Sequence, residues 1–474
     1  LTYRQLLAEN ADFRRLWTGQ IVSEIGDWLN NIAVLALAIQ LAGERGVGLA
    51  IAVYAIARHL PLFVFGPVAG VVVDRVSRRR VMIVADLVRA FLALGFLLAN
   101  RFASLAVIYV VGASMFSVSA FFNAAKRASI PNLVGGTEEL LGANSLSAST
   151  TAATIAVGSA LGGVVATALG RDAVFVLNAL TFLVSAEMIR RIRRQLRTEK
   201  TQTVGRVAQG LRVAEQHGGW KSAPREPRAA IALIFSVMRR VASDFRDGLR
   251  YVRRDAVLSA VFVVAAGWGL GNGTARALYS IFGARLGEQA VRGWAGGVRA
   301  FAERPTDFGI SVLFVAMGLG GVLGAPLARR FNRGAVVGLG SRMGRSLVLD
   351  GCGLALFSLM PNLWGAALVL VARELNFAIW WTAQQTLLMR RTDDAFAGRV
   401  FASYETLTTL MMVGSILVSG AAADRVGIGP VAACGGSVVI LSGLLWFLLR
   451  RRGAQTAQTE QELTWMDRTQ RGDK

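Results

Sequence analysis

Cysteine, histidine and lysine are nearly missing from this 474-residue chain. Its two cysteines, Cys352 and Cys434, lie in separate apolar runs with no histidine at metal-ligand spacing, so they read as packed core thiols and not as a metal site. Two histidines, His59 and His217, are too few for a histidine-based centre. The four lysines are Lys126, Lys200, Lys221 and Lys474, and none follows the glycine that a Walker A phosphate loop needs. ATP is therefore not the expected fuel, and neither metal nor cofactor is expected. Charge is also scarce: only 17% of residues are Asp, Glu, Lys or Arg, against 54% hydrophobic.

With a mean hydropathy of +0.48, the chain is too apolar for a water-soluble protein of this length. Apolar runs of about 18 residues or more recur from end to end, each long enough to cross a hydrocarbon core of about 30 Å as a helix. Backbone amides in lipid must be satisfied within the segment, so helices are the expected form. Twelve are read at 17–41, 47–70, 81–99, 103–123, 141–168, 172–190, 256–284, 308–328, 345–360, 363–388, 401–423 and 430–449. The first apolar run is too long for a cleaved signal peptide, so it is expected to stay in the mature chain.

A formal charge of +22 raises the possibility of nucleic-acid binding. The distribution points elsewhere. With these spans, roughly 40 of the 52 basic residues fall on one side of the membrane, the asymmetry of cytoplasmic loops. They include Arg75, Arg78, Arg79 and Arg80, Lys126 and Arg127, Arg329, Arg330 and Arg333, Arg390, Arg391 and Arg399, and Arg450 to Arg452. Both termini share that side, which is expected to be the cytoplasmic face of an inner membrane. The expected partners are a lipid bilayer and a small molecule, with no nucleic acid and a monomeric state.

Four regions follow: a six-helix half at 1–190, a basic joint at 191–255, a second six-helix half at 256–450, and a tail at 451–474. Within the joint, Ile234, Met238, Val241, Phe245, Leu249 and Val252 recur at helical spacing beside Arg239, Arg240, Arg246, Arg250, Arg253 and Arg254, the pattern of a helix lying on an anionic membrane surface. A regulatory docking site is the alternative. Val157-Gly158-Ser159 and Val413-Gly414-Ser415 stand 256 residues apart, as do Gly142 and Gly398, so the halves read as repeats.

The second helix runs into Gly70-Val-Val-Val-Asp74-Arg75-Val-Ser77-Arg78-Arg79-Arg80, and a degenerate copy after the eighth reads Gly324-Ala-Pro-Leu-Ala328-Arg329-Arg330. A glycine admits a neighbouring helix, and an acid among arginines at the water boundary can clamp two helices. The sequence here resembles the major facilitator superfamily, whose signature between helices two and three is a Gly, three residues, Asp-Arg and a basic cluster. That resemblance implies a gate at Gly70, Asp74, Arg75, Arg78 and Arg79, with Asp74 engaging the start of helix eleven; Ser77 replaces the usual second glycine. Further segments are similar to an efflux branch that includes enterobactin and macrolide exporters: Phe13-Arg-Arg-Leu-Trp17, Gly26-Asp27-Trp28, Asp86-Leu-Val-Arg89-Ala90, Ile130-Pro131-Asn-Leu-Val134, Ala143-Asn144-Ser145-Leu146 and Gly398-Arg399-Val400. Gly158, Gly162 and Gly163 on helix five resemble the antiporter motif, with Ser159 in place of its proline, and are expected to pack helices closely.

Polar groups within the spans carry the mechanism, because each costs about 2.5–3.5 kcal/mol at a helix centre. Gln20, Glu24, Asp27 and Asn31 share one face of the first helix. Asp27 lies about 18 Å along the helix from Arg15, near mid-membrane. Glu374, Trp381 and Gln385 share a face of helix ten, and Arg58 lies at similar depth. The substrate cavity is expected beside Asn31, Arg58, Trp380, Trp381 and Gln385. Asp27, Glu24 and Glu374 are the proton-coupling candidates, against the alternative of a permanent ion pair with Arg58. Arg89 and Asp86 read as a structural pair, and Arg276 as an attractor of anionic cargo or a snorkelling side chain. The expected protein is an all-α secondary exporter of a small, partly apolar compound such as a drug, siderophore or other natural product, working by alternating access and proton antiport, and not an enzyme. An importer or lysolipid transporter of the same fold, and a membrane sensor or integral enzyme, are the alternatives.

Overall fold

The computed structural model describes residues 3–43, 46–194, 196, 227–292, 303–332 and 338–470. His217, Lys200, Lys221, Lys474 and Arg333 lie outside the described residues. Apart from their connections the described residues are helical: α1 (Tyr3–Glu9), α2 (Ala11–Ala42), α3 (Val47–Arg75), α4 (Arg78–Arg101), α5 (Leu105–Leu133), α6 (Gly136–Leu169) and α7 (Arg171–Arg190). After the joint come α8 (Pro227–Val252), α9 (Ala256–Arg292), α10 (Pro305–Asn332), α11 (Leu339–Ser358), α12 (Leu363–Arg391), α13 (Asp394–Val426) and α14 (Ile428–Gln470).

Among the described residues, eleven helices are long and apolar enough to cross a membrane. The remaining member of the twelve, α11, has 20 residues and carries Arg342, Arg345 and Asp350. Its buried acid is neutralised by Arg373 of α12, 3.1 Å away, which is how a polar helix sits inside an apolar bundle. Phe91, Val110, Leu368 and Val418 stand exposed on the outside of the bundle, where lipid would cover them. Cys352 and Cys434 are exposed as well, which corrects their reading as core thiols: an apolar run around a bundle has an outward face too.

The halves α2–α7 and α9–α14 meet along two seams, α3 against α13 and α6 against α10. Several elements run further than the apolar runs imply. Helix α5 continues past Lys126 to Leu133 and α14 continues to Gln470, because helix formation does not stop where hydrophobicity does. Asn10, Ser104 and Asn362 cap the starts of α2, α5 and α12 with their own side chains.

Helix α8 corrects the membrane-surface reading for its described side chains. Gly248 lies so close to α13 that a Cβ there would stand 2.1 Å from the Ser403 Oγ. Tyr251 stacks on Phe396 at 4.6 Å and donates to Asp393 at 3.0 Å. Val252 is buried, while Arg239, Arg246, Arg250, Arg253 and Arg254 are exposed. The apolar edge is covered by protein, because a docked helix and a membrane-surface helix need the same amphipathic pattern. Ile234, Met238 and Arg240 have side chains outside the described ones.

Candidate functional site: the central polar cavity

The polar stripe of α2 faces α4, α5 and α6, and each member has its own partners. Glu24 receives Gln20 Nε2 at 2.9 Å, Lys126 Nζ at 3.3 Å, and the hydroxyls of Thr151 and Thr154 at 3.2 and 3.1 Å. Four donors saturate that carboxylate. Asp27 is held more loosely: its Oδ2 stands 3.8 Å from Arg89, and its side chain is 26% exposed. The Arg89 guanidinium is bonded to the buried Asp86 and lies between the rings of Phe122 and Phe182, at 4.1 and 4.4 Å. Asp27 is thus the exposed third member of a buried Arg-Asp pair.

The second half repeats that chemistry. Arg373 contacts Asp350 through Nε and Nη2, each at 3.1 Å, and donates to the Tyr279 hydroxyl. Glu374 stands 3.6 Å from Arg373 and is partly exposed. Arg58 departs from expectation. It donates to Asn31 and lies over Trp28 and Phe116, at 4.9 and 5.1 Å, and is not in direct contact with a described carboxylate. Arg276 is exposed amid buried neighbours on α9, and among the described residues no salt bridge reaches either arginine.

Trp380 is fully buried, which corrects its assignment to the cavity lining. It packs at 4.7 Å on Trp268 and 6.0 Å from Trp381. Trp381 is 37% exposed, with Gln385 half-buried one turn further on. Adjacent tryptophans on a helix point about 100° apart, and sequence alone does not say which faces inward.

At the end carrying the basic loops, Gly70 and Gly398 have open space where a side chain would be. Asp74 and Arg75 are exposed, and among the described residues no hydrogen bond or ion pair joins Asp74 to α13. Arg78 donates to the Ala128 carbonyl at 2.6 Å and to Asn132, while Arg79 donates to the Arg190 carbonyl. Through these contacts the two arginines brace α4 on α5 and α7. A basic cluster beside an acid reads the same whichever helix it reaches.

The opposite end is closed. Arg171 contacts the buried Asp307 at 2.8 and 3.1 Å, and Arg304 donates to the Ala166 carbonyl at 2.9 Å. Asp424, at the end of α13, accepts the backbone N–H groups of Gly48 and Leu49 at 2.7 and 2.9 Å. Gly158 and Gly162 lie against α2, whereas a Cβ at Gly163 would stand 2.2 Å from Ser311 on α10. Sequence reading missed Lys126, Asp307, Asp350, Arg373 and Asp424 as site residues. Only Asp424 carried a visible signal, since Gly420-Ala-Ala-Ala-Asp424-Arg425-Val repeats the pattern of Gly70-Val-Val-Val-Asp74-Arg75-Val.

A two-half helical bundle with paired charges around its centre is the architecture of a secondary transporter. The family model "Major Facilitator Superfamily" matches residues 16–415, and the chain belongs to that superfamily. It is 25% identical over 443 residues to the "Uncharacterized MFS-type transporter YfiS" of Bacillus subtilis (strain 168), covering 91% of each chain. It is 26% identical over 418 residues to the "Putative bacilysin exporter BacE" of Bacillus subtilis, covering 85% of this chain and 86% of that one. Over 78 residues, 16% of this chain and 18% of the relative, it is 37% identical to "Macrolide efflux protein A" of Streptococcus pyogenes. The fold is shared with a solved POT family transporter in complex with 5-aminolevulinic acid, at a TM-score of 0.62, 11% identity and coverage of 92% and 96%.

Proposed function

We propose that this chain is a monomeric inner-membrane exporter that moves a small, partly apolar compound outward by alternating access, in exchange for protons. The observation that carries this reading is an asymmetry of the α3–α13 seam: Gly70 and Gly398 face open space at the basic end, while Asp424 binds the Gly48 and Leu49 amides at the other. Such a state receives cargo from the side of the basic loops, which are cytoplasmic under the positive-inside rule. The exporter and efflux relatives support the direction.

Asp27 is the proposed proton carrier, because it is the stripe carboxylate with the loosest hold and an open face. Glu24, tied by four donors, is assigned to structure; Glu374 is the matching candidate in the second half. Arg58 and Arg276 suit a negatively charged group on the cargo, and Trp381 suits its apolar body.

Counterflow in proteoliposomes tests transport itself, since a sensor or enzyme produces none. With carboxyfluorescein and ethidium as anionic and cationic probes, Arg276→Gln is expected to lower carboxyfluorescein counterflow about tenfold, the value of one lost charge-assisted contact. Ethidium counterflow is expected to stay the same. Equal losses for both dyes would remove the anion preference.

Orientation has its own test. A cysteine at position 220, in a background lacking Cys352 and Cys434, is expected to resist impermeant maleimide in intact cells and to react in inverted vesicles. Labelling from outside would reverse the orientation and with it the direction of export.

A further inference from the structure

Most buried charges of the bundle are already matched. Glu24 is tied to Lys126, Asp86 to Arg89, Asp350 to Arg373 and Asp307 to Arg171. Each half then leaves over one acid and one base. Asp27 and Glu374 only approach arginines that are bonded to another aspartate, at 3.8 and 3.6 Å. Arg58 bonds the neutral Asn31, and Arg276 stands exposed on α9.

These four charges lie at one level. Arg58 and Glu374 are each eleven residues from the starts of α3 and α12, and Asp27 and Arg276 are fifteen and sixteen residues from the ends of α2 and α9. That is about 16–24 Å in from the end opposite the basic loops. Across the halves, Ala52, Ala55 and Ile56 of α3 pack with Ala275, Leu278 and Tyr279 of α9, which brings the two arginines near one another. Asp27 interacts electrostatically with Arg58, Arg58 with Arg276, and Arg276 with Glu374. The order of charge across the cavity is therefore acid, base, base, acid.

We propose that this cavity selects a zwitterion, holding an acidic group of the cargo between Arg58 and Arg276 and a cationic nitrogen against Asp27. This assignment rests on the transport reading above and adds the chemical class of the cargo. A ligand of one sign satisfies half of the line and is repelled by the other half, and such repulsion is costly away from water. A ligand carrying both signs meets both halves. Arg58 is already fixed over the faces of Trp28 and Phe116, so little order is lost when it receives the acid.

Exchange for protons points the same way. Asp27 faces Arg89 and Asp86 of α4, Arg58 and Tyr54 of α3, and Glu24 of its own helix. A proton on Asp27 leaves the cations in excess and strengthens the binding of an anion, so a purely anionic cargo would travel with the proton. A cationic nitrogen competes with the proton for the same carboxylate, and the proton leaves to water as the nitrogen arrives. The acidic group thus gives selectivity and the nitrogen gives exchange.

Three dyes with one xanthene skeleton separate the charges. The rhodamine acid with two free amino groups is a zwitterion at neutral pH, its methyl ester is a cation, and fluorescein is an anion. Fluorescence polarisation reads their binding to the purified full chain in lipid nanodiscs, against empty nanodiscs. The acid is expected to bind the wild type about tenfold more tightly than either relative, one charge-assisted contact in each case. Arg276→Gln is expected to remove its advantage over the ester. Asp27→Asn, whose amide oxygen still accepts, keeps the acid bound but removes its advantage over fluorescein. Monodisperse gel filtration confirms that both variants are folded. Calorimetry of the acid in phosphate and in Tris, whose heats of ionisation differ, is expected to show proton release in the wild type and none in Asp27→Asn. An acid that binds the wild type no better than its relatives, or an advantage unchanged in both variants, overturns the proposal. A preferred acid that releases no proton upholds the zwitterion site and overturns proton exchange instead.

Discussion

Asp27→Asn is expected to reduce pH-gradient-driven accumulation of cargo in inverted vesicles to the level seen without a gradient, while counterflow continues. The amide keeps the size and shape of the carboxylate but cannot carry a proton, so the variant separates coupling from binding. Among the described residues Asp27 has a single ion-pair contact, the 3.8 Å approach to Arg89, and a partly open side. Arg89 retains its buried bond to Asp86 when Asp27 is neutralised, so the bundle keeps its packing. Glu24→Gln serves as the contrast. It loosens a site with four donors and is expected to lower expression and counterflow together. Normal gradient-driven accumulation in Asp27→Asn would reject Asp27 as the carrier, and loss of counterflow as well would assign it to a structural ion pair.

The largest effect on stability is expected at Arg373. Arg373→Met leaves Asp350 buried without its cation and removes the donor to Tyr279. Breaking a buried pair from one side costs about 3–5 kcal/mol, so a marked fall in the unfolding midpoint of the purified protein is expected. Replacing both partners by apolar residues of similar size is often neutral. Arg373→Met with Asp350→Leu is accordingly expected to recover most of the midpoint. A single variant as stable as wild type would show that water or another group already satisfies Asp350. An unrecovered double variant would show that the pair fixes the packing of α11 on α12.

Much of the site can be traced to residue spacing. The stripe Gln20, Glu24, Asp27 and Asn31 follows from helical period alone, and its members do turn inward together. Their partners do not follow from spacing, because Lys126, Arg89, Thr151 and Thr154 come from three other helices. Arg58 illustrates the limit: depth in the membrane matched it to Asp27, yet the helix rotation gives it to Asn31, Trp28 and Phe116. The aspartate at 424 repeats a string present earlier in the chain, but its meaning depends on the start of α3, 375 residues away, lying beside it.

By itself the sequence determined the solvent, the helices and the pseudo-repeat of this protein, because those depend on local quantities: apolar length, helical period and the recurrence of small residues. The charge asymmetry of its loops likewise lies in the order of residues. Only the tertiary structure decided which carboxylate is saturated and which is loosely held, which tryptophan is buried, and which end of the α3–α13 seam is tied. Those depend on the rotation and tilt of helices packed through glycines, where a shift of a few ångströms makes or removes a hydrogen bond.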